Sequence, residues 1–261
     1  MAIRRKRAPR KTAAKRKTAP RKKTNLKKVI KQVLHSQIEN KLASTFERYK
    51  TITSYVQTPG LYVQSMIPYS NIVQGLGQSD RIGCKIRTMK CIFNYVITPY
   101  PKSAVLNNIP MPQNVIIFFG KVKNSKPQPP IASDFAKLYQ FGNTVAVPQG
   151  DLMDQVLSVN KDWFTVYKTI THKIGFENYN TSSLSPTFQH FTNNDYKLNA
   201  IGHINLTKYC PKNVIFNDTT SEPTNDGLFM WAMSVPANGT TQAELSPVVM
   251  SSSIHYEYED A

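Results

Sequence analysis

The stretch GLGQSDRIGCKIRTMKCIFNYVIT, residues 75–98, decides the fold class because closely spaced glycines lead directly into a long, largely apolar run. Its spacing, Gly75-x-Gly77 followed by Gly83, differs from the GxGxxG of a dinucleotide-binding loop, which also needs a helix behind it. The residues after the glycines instead alternate with period two, which is typical of a β-strand. The residues predicted to share the inner face are Met89, Cys91, Phe93, Tyr95 and Ile97.

The three glycines therefore predict a turn that leads into a strand. They are expected at turn and bulge positions where the backbone needs a positive φ. Burying an unpaired cation is costly, so the two basic residues at the start of the strand should stay outside the core. We expect the core to begin at Met89, with Lys85 and Arg87 projecting past the edge of the sheet.

Further strand-like segments fill the rest of the chain up to its C-terminal residues. They are rich in Val, Ile, Thr, Tyr and Phe and are separated by long polar loops. Only IASDFAKLYQF, residues 131–141, carries a helical signal in this region. About eight strands without alternating helices predict an all-β, antiparallel sandwich or jelly roll. The strand segments lie at roughly 50–57, 61–68, 84–98, 113–122, 161–174, 198–209, 227–235 and 247–258.

The hydrophobic pattern also predicts which faces are buried. VIIFFG (115–120) and GLFMWAMSV (227–235) are apolar at successive positions, which is typical of central strands that are covered on both faces. Other segments alternate and should bury one face only. The residues expected to share a face are Phe164, Val166, Ile170 and Ile174 in one strand, and Ile254, Tyr256 and Tyr258 in another.

The charge of the chain is concentrated at its N-terminal end. Residues 1–31 hold 15 Lys and Arg and no acid, whereas residues 32–261 hold 18 basic against 16 acidic residues. Residues 1–24 have few large apolar side chains, and their positive charges repel one another. They therefore predict a disordered arm that binds a polyanion and could also act as a nuclear localisation signal. A merely solubilising tail is the alternative. The side chains expected to bind nucleic acid are Arg4, Arg5, Lys6, Arg7, Arg10, Lys11, Lys15, Arg16, Lys17, Arg21, Lys22 and Lys23 of the arm, with Lys27, Lys28 and Lys31 behind it.

Apolar residues recur at helical spacing after the arm, which predicts an amphipathic basic helix over residues 25–47. Its lysines, Lys41 among them, should lie on the faces away from the apolar stripe. Such a helix could face nucleic acid, associate with other helices or lie on a membrane. Its first four turns lack Trp and Phe, which weakens the membrane interpretation. Residues 48–261 are then the β-domain.

Signals for catalysis, metals or cofactors are weak. The five histidines are scattered without metal-ligand spacing, and no nucleophile motif, Walker loop or paired carboxylates are visible. The oxygen-rich loop at 217–227 lacks the ligand pattern of an EF-hand. Three cysteines without a CxxC do not form a disulfide framework. The sequence therefore predicts a protein that is not an enzyme and that has no cofactor, no metal and no membrane partner.

The order of basic arm, short helix, linking strand and glycine turn resembles that of the single jelly-roll capsid proteins of small icosahedral viruses. It is similar to the coat protein of satellite tobacco necrosis virus and to capsid proteins of circular Rep-encoding single-stranded DNA viruses. The segments that carry the resemblance are NIVQGLGQSDRIGCKIR (71–87), VIIFFGKV (115–122), NKDWFTVYKTITHKI (160–174) and SIHYEYEDA (253–261).

The resemblance implies an eight-stranded antiparallel jelly roll, with about sixty copies in one shell and the arm directed inward to a single-stranded genome. The chain length favours the DNA viruses over RNA. The implied location is the virion, with a nuclear stage in the host reached through import machinery that recognises the arm. Arg81 would fix the bend formed with Gly75, Gly77 and Gly83, or make an intersubunit contact.

Two other functions fit parts of the same pattern. A cellular nucleic-acid-binding protein could carry a basic tail on a monomeric β-domain, and would be expected to show a basic or aromatic groove. A membrane-surface adaptor could use the amphipathic helix and would bind liposomes.

Overall fold

The computed structural model describes residues 40–52, 69, 72–77, 79–100, 110–123, 132–180, 187–217, 223–224, 228–238 and 248–260. These residues form strands β1 (Asn40–Ile52), β2 (Lys85–Pro99), β3 (Gln113–Val122), β4 (Tyr139–Phe141), β5 (Thr144–Ala146), β6 (Ser158–Val159), β7 (Phe164–Ile174), β8 (Phe176–Asn180), β9 (Thr187–Phe191), β10 (Ala200–Asn205), β11 (Asn213–Ile215), β12 (Phe229–Pro236) and β13 (Val248–Asp260). One short helix, α1 (Ala132–Phe135), and 3-10 turns at Leu152–Gln155 and Thr207–Tyr209 complete the described elements.

The strands form two principal antiparallel sheets. In sheet A the order is β1-β13-β2-β10, and β11 also pairs with the first residues of β2. In sheet B the order is β12-β3-β7. A small sheet, β5-β4-β6, and a hairpin, β8-β9, are separate from both. The predicted all-β, antiparallel class is confirmed.

The two principal sheets share one hydrophobic core. Cys91, Phe93 and Ile97 of β2 are buried together with Ile117 and Phe119 of β3. The rings of Phe93 and Phe119 meet edge to face, with their centroids 5.7 Å apart. Because this contact joins sheet A to sheet B, the described strands form a sandwich around a common apolar interior.

A polar link crosses the same core. Tyr95 of sheet A and His172 of sheet B form a 2.7 Å hydrogen bond between Oη and Nε2. The tyrosine ring lies over Gly202, where an added Cβ would stand 2.1 Å from the ring carbon Cζ. Burial raises the pKa of Tyr95 and lowers the pKa of His172, so both groups are neutral at pH 7.

A second apolar cluster, which we call the outer cluster, covers the face of sheet B that points away from sheet A. Phe118 and Trp231 stack with centroids 5.1 Å apart, and Phe135 of α1 and Phe164 pack against the indole. β3 is consequently buried on both faces, and β12 is buried at its described side chains as well. This confirms the prediction from their continuous apolar sequences.

Two β-bulges change the face on which side chains lie. In β7 the pairing with β3 shifts at Tyr167, so Phe164 and Val166 join the outer cluster while Ile170 and Ile174 face the shared core. The prediction that these four residues share a face is therefore wrong. An extra residue inverts the alternation because side chains repeat with period two.

The bulge in β2 corrects the predicted start of the core. β13 pairs with Lys90 and then with Thr88, which leaves Met89 without an opposite residue. Met89 is exposed, whereas Ile86 on the other side of the bulge is buried. Inward-facing residues therefore begin at Ile86, and Arg87 is accommodated by a 3.4 Å ion pair with Glu259.

The predicted N-terminal helix is wrong for its last part. Residues 40–47 belong to β1, which pairs with β13 along its length, and residues 25–39 lie outside the described part of the chain. Lys41, expected on a solvent-facing side of the helix, is buried. The helical signal at 131–141 also gives only α1, since Tyr139–Phe141 is a strand.

Candidate functional site

The glycine turn is built from backbone hydrogen bonds that fold residues 73–81 back on themselves. The Arg81 amide donates to the Val73 carbonyl at 2.9 Å, and the Gly75 amide donates to the Arg81 carbonyl at 3.1 Å. The Asp80 carboxylate accepts from the Gly77 amide at 3.0 Å. The turn is therefore closed by an acid within it, and it is not a phosphate-binding loop.

The structural role of Gly75 and Gly77 differs from the predicted one. The glycines with positive φ in the described residues are Gly142 and Gly150, so the expectation of positive φ at the turn is wrong. A Cβ at Gly75 would stand 2.3 Å from Asp80 Oδ2, and one at Gly77 would stand 2.8 Å from it. Gly83 has no such constraint, since the nearest atom to an added Cβ is 4.0 Å away. The close approach of the Asp80 carboxylate, and not chain reversal, favours glycine at positions 75 and 77.

Arg81 is the buried centre of this turn, with 1% of its surface exposed. Its guanidinium donates to the Gly83 carbonyl at 2.7 Å and to the Asn217 carbonyl at 3.3 Å. It also lies 4.5 Å from the centroid of the Phe216 ring. Arg81 therefore fixes the bend within one chain and ties it to the residues after β11.

Both ends of the β-domain hold the turn in place. Lys41, in β1, donates to the Asp80 carbonyl at 2.6 Å and pairs with Asp260 at 2.8 Å. Tyr258, in β13, donates to the Ser79 carbonyl at 2.8 Å, and burial raises the pKa of its phenol to about 12. The sequence did not predict these contacts, because the residues that form them are separated by up to about two hundred positions. We call the turn held by them the clamped turn.

Apolar side chains are exposed around the clamped turn. Leu76, at its tip, is 97% exposed, and three neighbours in the turn or in β11 are exposed as well. We call the set the turn patch. Its members are Val73, Leu76, Ile82 and Ile215.

A second set of exposed apolar side chains lies on the elements that pack over the outer face of sheet B. It spans β4, β5 and the 3-10 turn that follows. Tyr139 of β4 and Ala146 of β5 pack in the outer cluster. We call the exposed set the hairpin patch. Its members are Phe141, Val145, Val147, Leu152, Met153 and Val156.

The hairpin patch is anchored by a buried acid. Asp154 Oδ2 accepts hydrogen bonds from the amides of Gly150 at 2.6 Å and Gln149 at 3.1 Å. Burial raises the pKa of its carboxyl to about 6, more than these hydrogen bonds lower it.

The predicted nucleic-acid-binding residues lie outside the described part of the chain. These are Arg4, Arg5, Lys6, Arg7, Arg10, Lys11, Lys15, Arg16, Lys17, Arg21, Lys22, Lys23, Lys27, Lys28 and Lys31. In the described β-domain, by contrast, basic side chains are paired with acids at Lys41–Asp260, Lys50–Glu47, Arg87–Glu259, Lys90–Glu257 and Lys173–Asp195. Residues 1–31 carry 15 of the 17 net positive charges of the sequence, so most of the unbalanced charge lies before the described strands.

Other chemistry is sparse in the described residues. They contain no group of three His, Cys, Asp or Glu side chains that could hold a metal ion. Cys84, Cys91 and Cys210 are all free thiols, and the hydrogen bond from Cys91 with burial raises the pKa of Cys210. No helix among them is long and apolar enough to cross a membrane.

Comparison of the sequence with protein-family models and with curated proteins finds no match.

Proposed function

We propose that this chain is a viral capsid protein that assembles into a small icosahedral shell and packages a single-stranded genome through its arm. The observation that carries the proposal is the division of charge between 15 Lys and Arg without an acid in residues 1–31 and a nearly neutral remainder. A neutral domain can pack against its own copies, while a separate cationic arm neutralises a polyanion.

The order of the strands supports a jelly roll as the shell domain. A jelly roll has eight strands in two packed sheets that form Greek keys. The distribution of the main strands is compatible with that arrangement, with β2 and β10 in sheet A, β3 and β7 in sheet B, and β12 and β13 in opposite sheets. Sheet B then needs one more strand beside β12, and the strand expected at 61–68 lies outside the described residues.

The two apolar patches supply surfaces for assembly. A closed shell needs heterologous contacts, in which different surfaces of neighbouring copies meet. The turn patch and the hairpin patch are separate and expose large apolar side chains, such as Leu76 and Phe141. Soluble monomers rarely keep large apolar patches open to water, so contact between copies is the expected use.

Genome binding would be independent of sequence. Arg and Lys bind phosphates and release counterions, so affinity should fall steeply with salt concentration. If about sixty copies each bring 15 charges, the shell interior holds about 900 positive charges, enough to neutralise much of a genome of about a kilobase. Arm–genome attraction also relieves repulsion between arms, which couples packaging to assembly.

Deletion of residues 1–23 tests the proposal directly. The variant should fold, because the arm precedes β1, and it should lose packaged nucleic acid. Electron microscopy should show uniform shells of roughly 20 nm for the full chain. Nuclease treatment of nucleic acid extracted from those particles distinguishes DNA, which we favour, from RNA.

A control variant isolates the role of charge. Replacing the arm's Arg and Lys by Gln keeps its length and should reproduce the effect of deletion. Particles of the deletion variant with a normal nucleic-acid content would refute the packaging role. A soluble monomer at every salt concentration would refute assembly and favour a cellular nucleic-acid-binding protein instead. Nuclear accumulation of a fluorescent fusion that depends on the arm would support import through host machinery.

A further inference from the structure

The outer face of sheet A carries an exposed aromatic bulge. Phe46 of β1 is 66% exposed on the face opposite the shared core. The pairing of β1 with β13 then shifts between Glu47 and Lys50, so that Arg48 and Tyr49 together oppose Ser251. We call residues 46–49 the aromatic bulge. Bulges of this kind re-aim side chains and occur often at functional sites.

Tyr49 adopts a backbone conformation that its side chain disfavours. Its φ is +53°, in the left-handed region that non-glycine residues rarely enter, and it is the only such residue in the described part of the chain. Its amide donates to Ser251 Oγ at 3.2 Å, and its side chain is 78% exposed. An exposed ring held in a strained conformation is typical of a functional surface.

A cation accompanies these rings. The Arg48 guanidinium lies 5.5 Å from the centroid of the Phe46 ring. Neighbouring Lys50 is paired with Glu47 at 3.6 Å, whereas Arg48 has no carboxylate partner among the described residues. Arg48 therefore offers its charge and its planar face to a ligand.

A depression of about 450 Å³ lies beside the bulge. Ile201 and Val96 line it with apolar surface, and Asn94, His203 and Ser253 supply polar groups. His203 Nδ1 and Asn94 Oδ1 lie 2.5 Å apart, which fixes both side chains. The surface thus combines a stacking ring, a cation and amide and imidazole groups.

We infer that the aromatic bulge and this depression bind the bases of single-stranded nucleic acid, an inference that rests on the proposed function. A base would stack on Phe46, Arg48 would meet a phosphate or a second base, and Asn94 would offer hydrogen bonds to a base edge. Aromatic stacking with a nearby cation is the usual means of binding single strands without strong sequence preference.

The position of the face in the chain favours this ligand over a second copy of the protein. β1 begins nine positions after Lys31, the last basic residue of the segment that holds 15 Lys and Arg, and Phe46 follows Lys31 by fifteen positions. Fifteen residues span at most about 50 Å, so phosphates bound by the arm keep bases at high local concentration near the bulge. The turn and hairpin patches, which lack a free arginine beside a ring, are better suited to contacts between copies.

The test compares a fluorescent oligothymidylate of about twenty nucleotides with an abasic oligomer of equal length and charge, each titrated with the full chain. The wild-type protein should bind the oligothymidylate more tightly. Phe46→Ala should weaken that binding roughly 5- to 150-fold, as loss of one stacked ring does, with little effect on the abasic oligomer. The slope of log affinity against log salt should not change, because the phosphate contacts remain.

The matched control is Phe141→Ala, which removes a phenyl ring of similar exposure, 72%, from the hairpin patch. Phe141→Ala should not change the preference for the oligothymidylate over the abasic oligomer. Phe46→Trp keeps an aromatic ring at the bulge and should show the same preference as the wild type. Equal binding of both oligomers by wild type, with normal salt dependence, overturns the base-binding inference and leaves packaging standing. Failure to bind either oligomer at low salt refutes the proposed function itself. An altered oligomeric state of Phe46→Ala, with the preference for bases unchanged, overturns the inference in favour of a contact between copies.

Discussion

Arg81→Ala should destabilise the β-domain strongly, because it removes a buried cation that holds two segments together. The guanidinium donates to the carbonyls of Gly83 and Asn217 and lies over the ring of Phe216. A hydrogen bond from a charged group contributes about 1.5–3 kcal/mol. A cation–π contact contributes about 0.5–2 kcal/mol. Desolvation of the buried guanidinium opposes these gains.

Taking the lower bounds for both hydrogen bonds and the ring contact, the unfolding free energy should fall by about 3–4 kcal/mol. This is a large part of the ~5–15 kcal/mol that stabilises a typical domain. The substitution leaves each of the two carbonyls with one hydrogen bond fewer, and it leaves a cavity in place of the arginine side chain. Arg81→Lys keeps the charge but not the planar fork, and it should lose about half as much.

Urea unfolding followed by tryptophan fluorescence provides the assay, since Trp231 is buried in the outer cluster. Lys90→Ala is the control, because Lys90 lies in the same strand as Arg87 and pairs at 3.1 Å with Glu257, and both side chains are close to half-exposed. It should change stability by about 1 kcal/mol or less. A loss below about 1 kcal/mol for Arg81→Ala would refute the reasoning. Normal stability combined with lost shells would place Arg81 in an intersubunit contact.

Three further substitutions, the first with a matched control, test other contacts. Gly120→Ala should prevent stable folding, because the added Cβ would stand 2.3 Å from a backbone carbonyl oxygen of β7. Gly83→Ala is the control: its added Cβ would be 4.0 Å from the nearest atom, so the midpoint of thermal unfolding should not change. Lys41→Met leaves a carboxylate unpaired beside the turn and should cost about 2–4 kcal/mol in urea unfolding. Burial raises the pKa of Asp154 in the folded protein to about 6, so folding favours the protonated carboxyl. This contribution to the free energy of unfolding is present near pH 4. About 1–2 kcal/mol of it should be lost as the pH rises through 6. Asp154→Asn should remove that slope, whereas the opposite slope from His172, whose pKa is lowered, should remain.

Local patterns in the sequence predicted the class and much of the core. Strict alternation placed Ile254, Tyr256 and Tyr258 on the buried face, and all three are buried. Continuous apolar runs correctly predicted that β3 is covered on both sides. These predictions succeed because the pleat repeats every two residues and burial follows from that period alone.

Most of the failures share one physical cause, which is that the deciding partner is remote in sequence. The bulges at Met89 and Tyr167 arise in pairing with other strands, so the sequence of either strand alone does not show where the alternation inverts. Likewise, residues 40–47 carry a helical pattern, yet pairing with β13 more than two hundred residues later makes them a strand. The partners of Arg81 were equally out of reach, since Phe216 and Asn217 come directly after β11, more than 130 residues later in the sequence.

β1 links the proposed genome-binding arm to the folded domain. Its strand neighbour among the described residues is β13, so any force from a bound genome passes through this one ladder and the Lys41–Asp260 pair at its first residues. Asn40 pairs with Glu259 and Ile52 pairs with Val248, so the ladder runs antiparallel along the whole strand. A pull along β1 must therefore shear many hydrogen bonds together instead of opening them one by one.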